Sequence, residues 1–356
     1  MNNNNDKFRL TLLDSVNDCL QSFGDHVMHV LFSPQHALDV ERFRVALRRS
    51  VEAEPILACR LVYSRWKPFW QRWDAATLDA HAWCDLVEAG DVEQQIQTCF
   101  LQTMDCCTEP MVKAWLIRGT TDTLCLNVNC VPIDGRGLFI YLERLFDIYN
   151  RLATEPDYQP AASAMDARST RHLVPHFRWY DPFKLLFHGL RNQWTDRRTA
   201  HNWKFPCGEH RELDRVFQYR QFQPATLATL NAFRSGRGFS FNDLVLAAFY
   251  DALHDIIRPP RENTFCVLNT YDLRRYEPAG AVERVANYSS FVNSNVAVNA
   301  ALPFPDLVQR VHSAMTERKQ HYPGITEGPF IWPIFQLLPF GLARFVVEKL
   351  LHHRGE

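Results

Sequence analysis

The chain has 356 residues, and 46% of them are hydrophobic, which is enough to bury more core than an average single domain needs. Lysine and arginine total 39 and aspartate and glutamate 40, so the formal net charge at pH 7 is −1. This balance excludes a general attraction to nucleic acid or to an anionic membrane surface, and it leaves small or zwitterionic partners open.

The amino terminus, "MNNNND", is polar and is not followed by the basic and apolar runs of a signal peptide. We therefore expect a cytoplasmic protein. The longest apolar candidate for a membrane span, residues 329–351, is interrupted by Pro333, Pro339, Arg344 and Glu348, so no span is expected.

The ten cysteines are scattered, and we expect most of them to be free thiols that serve as small core side chains. One segment, "HNWKFPCGEH", brings together His201, Cys207 and His210. It lacks the second cysteine pair of a typical zinc site, so we interpret it as a polar linker and expect no metal.

Apolar periodicity in the first part of the chain predicts alternating helices and strands. A short helix within residues 8–22 precedes the strand "HVMHVLF", and Asp39 is the expected N-cap of a helix with Phe43, Leu47 and Val51 on one face. A hairpin of "ACRLVY" and "KPFWQRW", a polar helix near 91–102 and the strand "VKAWLIRG" follow.

The segment "NCVPIDGRG", residues 129–137, joins an alternating strand to an apolar helix. In "TLCLNVNC" Cys130 shares its face with Leu124, Leu126 and Val128, and "LFIYLERLFDIYNRL" repeats with helical spacing. The pattern predicts a strand, a tight loop and a helix that begins just past the glycines.

Residues 151–210 change in character to a Pro, Ala and Ser stretch and then a basic aromatic one. A helix starting at Asp181 is expected to pack through the apolar side chains of Phe183, Leu186, Phe187, Leu190 and Trp194. Beyond it the pattern predicts a strand "RVFQYRQF", a helix containing "PATLATLNAF", and a helix capped by Ser240 and Asp243. The strand "TFCVLNTYDLRRY", then "VANYSSFVNSNVAV" and a helix "FPDLVQRVHSAMTERK" complete this half.

Five segments of the chain resemble, in their order, landmarks of the chloramphenicol acetyltransferase superfamily, which includes condensation domains and wax-ester or alcohol acyltransferases. These segments are "LTLLDSVNDCL", "LDVERFRVALRRSVEAEPIL", "NCVPIDGRG", "FSFNDLVLAAFYDAL" and "YDLRRYEP…VANYSSFVN". The resemblance implies an α+β protein of two α/β sandwich subdomains with a tunnel between them. Residues 1–160 would form the first subdomain, 161–210 a crossover, and 211–356 the second.

In that superfamily the corner reads His-His-x-x-x-Asp-Gly, and the second histidine deprotonates the acceptor that attacks an acyl thioester. This chain has Asn129 and Cys130 at those places. The resemblance implies that Asp134 pairs with Arg274, and we expect Gly135 to allow a backbone turn close to a ligand. A thiol, with a reference pKa of about 8.5, replaces an imidazole poorly as a base.

The resemblance also implies which other residues meet a substrate in the tunnel: Asn129, Ser240, Asn242, Asn287, Ser289 and Ser290. For the last five, a helix start and a polar strand end are equally good explanations. No tightly bound cofactor is expected. The donor implied is acyl-CoA or an acyl group on a phosphopantetheine arm, and no phosphate-cradling glycine motif decides between them.

Three functions remain open from the sequence. The chain could be an acyltransferase in which positioning and a nearby group or water compensate for the lost base. It could instead be a noncatalytic member that binds an acyl thioester, a carrier protein or a partner enzyme. In the third interpretation Cys130 is a nucleophile, although no histidine near it in sequence would activate it.

Members of the superfamily normally continue past the helix that resembles "LLPFGLARFVVEKLL" into further strands, whereas this sequence ends at Glu356. Either the sequence is a fragment of a longer chain, or another chain supplies those strands. In the second case we expect an acyl carrier protein, another polypeptide or a second copy as partner, with a partner edge completing the second sheet. The segment "PFIWPIFQLLPF", with Ile331, Trp332, Phe335 and Leu338, would lie beside such a partner.

Overall fold

The computed structural model of the chain describes residues 6–170, 181–199, 216–326 and 328–355. The chain forms two compact units. The first comprises residues 1–176, 274–289 and 334–348, and the second comprises 177–273, 290–333 and 349–356. Two segments from the later part of the sequence thus group with the first unit.

Seven strands in the first unit form two sheets. The strands are β1 (Lys7–Arg9), β2 (Val27–Phe32), β3 (Cys59–Val62), β4 (Phe69–Arg72), β5 (Cys84–Glu88), β6 (Val112–Arg118) and β7 (Asp122–Asn129). One sheet has the order β1-β4-β3 and the other β2-β7-β6-β5. All pairs are antiparallel except β5 with β6.

Among the described residues before 170, the helices of this unit are α1 (Leu12–Leu20), α2 (Val40–Ala53), α3 (Ala75–Ala80), α4 (Val92–Phe100) and α5 (Gly135–Arg151). Asp39 caps α2 through the amide of Arg42, as expected. The predicted stripe on α2 is fully buried, because α2 packs on α5 over the larger sheet.

Strand β7 has every residue buried, since it lies between β2 and β6 and α4 also packs against it. Its last residue is Asn129, and α5 begins at Gly135. The predicted strand, loop and helix are confirmed, although the helix begins at Gly135 and not past the glycines, because Asp134 caps it. The loop leaves the end of a central, buried strand.

From Asp181 onward the remaining elements are α6 (Asp181–Thr199), α7 (Pro224–Ser235), α8 (Phe241–Ile257), β8 (Asn263–Asp272), β9 (Ser289–Val298), α9 (Phe304–Lys319), α10 (Gly328–Leu337) and α11 (Phe340–Gly355). Strands β8 and β9 pair with each other. The core of the second unit includes Ala247, Tyr250, Phe265, Val308 and Val311.

Two expectations for the region around α6 are wrong. Residues 216–222 of "RVFQYRQF" are irregular and mostly exposed, because alternation cannot hold a strand without a partner ladder. The predicted apolar side of α6 is also exposed, at Phe183, Leu186, Phe187, Leu190 and Trp194. Helix α6 instead buries Leu185, Asn192 and Asp196.

The buried face of α6 is held by polar contacts, which explains why its apolar side is turned outward. The carboxylate of Asp196 accepts hydrogen bonds from the side-chain amides of Asn293 and Asn295 and pairs with Arg318. Charge-assisted hydrogen bonds of this kind outweigh the periodicity of the apolar side chains. His201, Cys207 and His210 lie outside the described residues.

Six of the cysteines are buried core side chains, which confirms that part of the prediction: Cys19, Cys59, Cys84, Cys99, Cys106 and Cys125. Within the described ranges, no helix combines the length and the apolar character that crossing a bilayer requires.

Candidate functional site

The candidate site is the loop from Cys130 to Asp134. Val27 of β2 lies opposite Asn129 of β7, and the amide of Cys130 donates to the carbonyl of His26 at 2.9 Å. The ladder thus continues by one step, and it makes His26 the cross-strand neighbour of Cys130. Neighbours of this kind project from the same face, and Nδ1 of His26 lies 3.3 Å from Sγ of Cys130.

The thiol of Cys130 is half-buried. Burial raises its pKa to about 12, and the carboxylate of Asp25 contributes in the same direction. The group is therefore a neutral thiol at pH 7 and a poor general base.

Side-chain amides from two distant segments hold the backbone of the loop. Asn17 of α1 donates from Nδ2 to the carbonyl of Cys130 at 3.1 Å, and Asn287 donates to that of Val131 at 3.1 Å. Both asparagines are buried. The carbonyl groups that follow β7 are thus paired although the strand has ended.

Arg168 completes this support. Its Nη2 donates both to the carbonyl of Pro132 at 2.8 Å and to Oδ1 of Asp14 at 2.9 Å. The second carboxylate oxygen of Asp14 accepts from the indole of Trp70 and from the amide of Thr11. The buried arginine thereby ties the loop to the first turn of α1.

Asp134 anchors the far end of the loop. Its Oδ1 caps α5 by accepting from the amide of Gly137 at 2.7 Å, and its Oδ2 accepts from Nη1 of Arg274 at 2.8 Å and from the amide of Tyr288 at 2.6 Å. The predicted pair of Asp134 with Arg274 is confirmed. Arg274 also donates to the carbonyl of Ala286, so one carboxylate and one guanidinium order three segments.

The packing of this loop requires glycine at position 137 and not at position 135. A Cβ built on Gly135 meets open space, and its φ is not in the left-handed region, so the turn that we expected there does not require glycine. A Cβ on Gly137 would lie 2.7 Å from the carbonyl oxygen of Ala286 and 2.9 Å from Ile133. Glycine therefore permits α5 to approach the 284–288 segment.

The other residues expected to meet substrate have intramolecular partners. Oδ1 of Asn129 accepts from the amide of Val131 at 2.9 Å, and Oδ1 of Asn287 accepts from the amide of Ser289 at 3.0 Å. Asn129 and Asn287 are each 1% exposed. Their contact with a substrate stays a prediction, and their observed contacts shape the loop.

Three more of the expected residues lie in the second unit. Ser240 forms the predicted capping box with Asp243 at the start of α8, and Asn242 is exposed in the first turn of that helix. Ser290 donates from Oγ to the carbonyl of Gly324. Their contact with a substrate likewise stays a prediction.

Sequence reasoning missed His26, Asn17 and Arg168. His26 precedes β2, and only the register of β2 on β7 brings it to Cys130. Asn17 lies on the buried face of α1, where its polar character among the apolar positions was a usable signal. Arg168 lies in a basic stretch that indicated no particular partner.

Comparison with known proteins places this geometry in a known fold. No family model and no curated protein matches the chain. Among solved structures, the first condensation domain of the calcium-dependent antibiotic synthetase, in complex with a substrate analogue, superposes with a TM-score of 0.69 over 90% of this chain and 76% of that one, at 17% identity. The chain has the fold of a condensation domain.

Two further structures with this fold are similar. The EpoB cyclization-docking bidomain from Sorangium cellulosum gives a TM-score of 0.62, with 98% of this chain and 69% of that chain covered at 14% identity. The X-domain from teicoplanin biosynthesis in complex with OxyB gives 0.53, with 94% and 74% covered at 16% identity. The condensation-domain fold that the resemblance implied is thereby confirmed, and the tunnel between its subdomains stays a prediction.

Proposed function

We propose that this protein is an acyltransferase of the condensation type, which moves an acyl group from a thioester to a hydroxyl or amine acceptor at the loop after β7. The observation that carries the proposal is the contact of His26 with Cys130. It supplies an imidazole at the place where the sequence lacks the histidine of the superfamily.

An imidazole is the side chain best suited to this task, because its reference pKa of about 6.5 lets it take and return a proton near neutral pH. The thiol of Cys130, with its pKa raised to about 12 by burial, does not. The compensating group of the first interpretation is therefore His26, which reaches the loop from the neighbouring strand and not from the motif.

The support around the loop agrees with a catalytic role. Asn287 and Arg168 donate to the carbonyls of Val131 and Pro132, and Arg274 pairs with the carboxylate of Asp134 at the end of the loop. Catalysis gains from groups that are fixed before the reaction begins, since no reorganisation is then needed in the transition state. The donor we propose is acyl-CoA or an acyl-phosphopantetheine carrier, and the acceptor is a small alcohol or amine.

A second candidate is a noncatalytic binding module. It is favoured by the loss of both motif histidines to Asn129 and Cys130, while the anchor of Asp134 on Arg274 is complete. A fold of this kind is seen with a protein partner in the complex of the teicoplanin X-domain with OxyB. In this case an acyl carrier protein or a partner enzyme would bind without turnover.

The test is incubation of the full chain with acyl-CoA and acyl-carrier thioesters and a panel of alcohols and amines, followed by mass spectrometry of the products. Ester or amide formation that is abolished in His26→Asn supports acyl transfer. Saturable binding of a thioester or carrier without product supports the binding module. Neither product nor binding with any donor rejects both candidates.

A further inference from the structure

We infer that Cys130 and His26 form a nucleophile and base pair, and that acyl transfer at this loop passes through a thioester on Cys130. The inference rests on the proposed function and adds a covalent intermediate to it. It replaces direct attack of the acceptor on the donor by two successive transfers.

The geometry points to the thiol as the first group that His26 activates. Nδ1 of His26 lies 3.3 Å from Sγ of Cys130. In the tautomer that carries its proton on Nε2, the lone pair of Nδ1 is directed at the sulfur and can take the proton of the S–H bond. Both side chains are half-buried, so a thioester carbon can reach the sulfur.

Backbone hydrogen bonds hold His26 and Cys130 next to each other. The amide of Cys130 donates to the carbonyl of His26, and Asn17 donates to the carbonyl of Cys130. The strand pairing of Val27 with Asn129 precedes them directly. A separation fixed by a ladder and a buried amide is the pre-organisation that a nucleophile and its base require.

The electrostatic surroundings suit a proton transfer that is coupled to attack. Burial and the carboxylate of Asp25 both raise the pKa of Cys130. Thiolate thus does not accumulate in the resting protein. It forms when sulfur attacks a carbonyl and the proton moves to Nδ1.

In the first step the S–H proton of Cys130 passes to Nδ1 of His26, the sulfur bonds to the carbonyl carbon of the donor, and the donor C–S bond breaks. The departing thiolate takes the proton from the imidazolium. In the second step the O–H or N–H proton of the acceptor passes to His26, and the oxygen or nitrogen of the acceptor bonds to the acyl carbon. The bond from the acyl carbon to the sulfur of Cys130 breaks, and the sulfur takes the proton back from His26. No oxidant or reductant is needed.

Alkylation of the full chain by iodoacetamide tests the pair without any substrate. Cys107 is the matched control, because it is also half-buried and burial raises its pKa to about 11. If burial were the only influence, Cys130 would react with iodoacetamide more slowly than Cys107, because its pKa is higher. Activation by His26 predicts that Cys130 is alkylated about tenfold faster than Cys107 and that His26→Asn reverses this order.

His26→Asn retains a polar atom near the position of Nδ1 but cannot exchange a proton, and His26→Gln serves as a second variant if the first does not fold. Cys107 must keep its rate in both variants. A Cys130 that reacts more slowly than Cys107 in the parent protein, or at a rate that neither variant changes, overturns the pair.

Trapping tests the intermediate. With an active donor and no acceptor, peptide mass spectrometry should find the acyl group on Cys130, and Cys130→Ser should abolish the adduct. Product formation with no acylated Cys130 in the parent protein, at any time during single turnover, overturns this inference and leaves the proposed function intact. Acylated Cys130 that no acceptor discharges supports the pair and rejects the transfer function.

Discussion

Arg274 donates from Nη1 to Oδ2 of Asp134 at 2.8 Å, although the two residues are 140 positions apart. The side chains of Arg274 and Asp134 are only 10% and 5% exposed. The same oxygen accepts the amide of Tyr288. Since neither charge is well solvated, each compensates the burial of the other, and the loop after β7 depends on both.

Asp134→Ala should destabilise the protein by about 3 kcal/mol, because it removes the carboxylate that compensates the buried charge of Arg274. Urea unfolding measures the change. Asp147→Ala is the control, since the Asp147–Arg151 pair is 54% and 51% exposed and should cost less than about 1 kcal/mol. An Asp134→Ala protein with the midpoint of the parent would contradict the role of the pair.

Gly137→Ala and Gly135→Ala form a matched pair of substitutions in the first turn of α5. The added methyl at 137 would meet the carbonyl of Ala286 at 2.7 Å, so we expect a loss of about 1–3 kcal/mol. At 135 it meets open space and should be neutral or stabilise by up to about 1 kcal/mol. Equal effects in thermal unfolding would refute this assignment.

Cys130→His places an imidazole directly after β7, at the position where the resemblance implies a catalytic histidine. If a base at this place suffices, the variant should transfer acyl groups by direct attack, with a gain over a base-free His26→Asn background of about a hundredfold or more. Product formation in the Cys130→His, His26→Asn double variant measures it. A folded double variant that is inactive with every donor would favour the binding module.

Asp18 should make stability depend on pH. Burial raises the pKa of this carboxyl above its ordinary value, and the hydrogen bond from Tyr63 opposes the shift only in part. Because the pKa of Asp18 is higher in the folded state than in the unfolded state, the protonated carboxyl favours folding. This contribution to the free energy of unfolding is fully present below the unfolded-state pKa of about 3.9, and it is lost as the pH rises through the folded-state pKa.

Asp18→Asn should therefore stabilise the protein at pH 7, by about 1.4 kcal/mol for each unit by which the pKa is raised, and the gain should vanish towards pH 3. The amide oxygen can still accept from Tyr63 and Gln21. Unfolding midpoints between pH 3 and 8 give the measurement. A loss of stability that is the same at every pH would show that the carboxylate is needed for another reason.

The local rules of helix formation were sufficient for many elements. Asp39 and Ser240 cap the helices that they were expected to cap, and the apolar repeat after residue 137 marks α5. These features depend on contacts within a few residues. The order of the landmark segments also predicted the fold.

Residues 216–222 do not form the predicted strand, because a strand requires a partner strand. The apolar side of α6 faces outward because Asp196, on its other side, binds Arg318 and two asparagines. The orientation of α6 depends on residues about a hundred positions away. Periodicity within one segment carries no information about such partners.

The sequence by itself determined the strand, loop and helix at 122–151, and its resemblance to the superfamily predicted the pair of Asp134 with Arg274. Only the tertiary structure decided that His26 faces Cys130, that Arg168 and Asn17 hold the loop, and that Gly137 is the glycine that packing requires. The reason is physical. Capping and periodicity act over a few residues, whereas strand register and the closeness of two backbones are set by the whole packed unit.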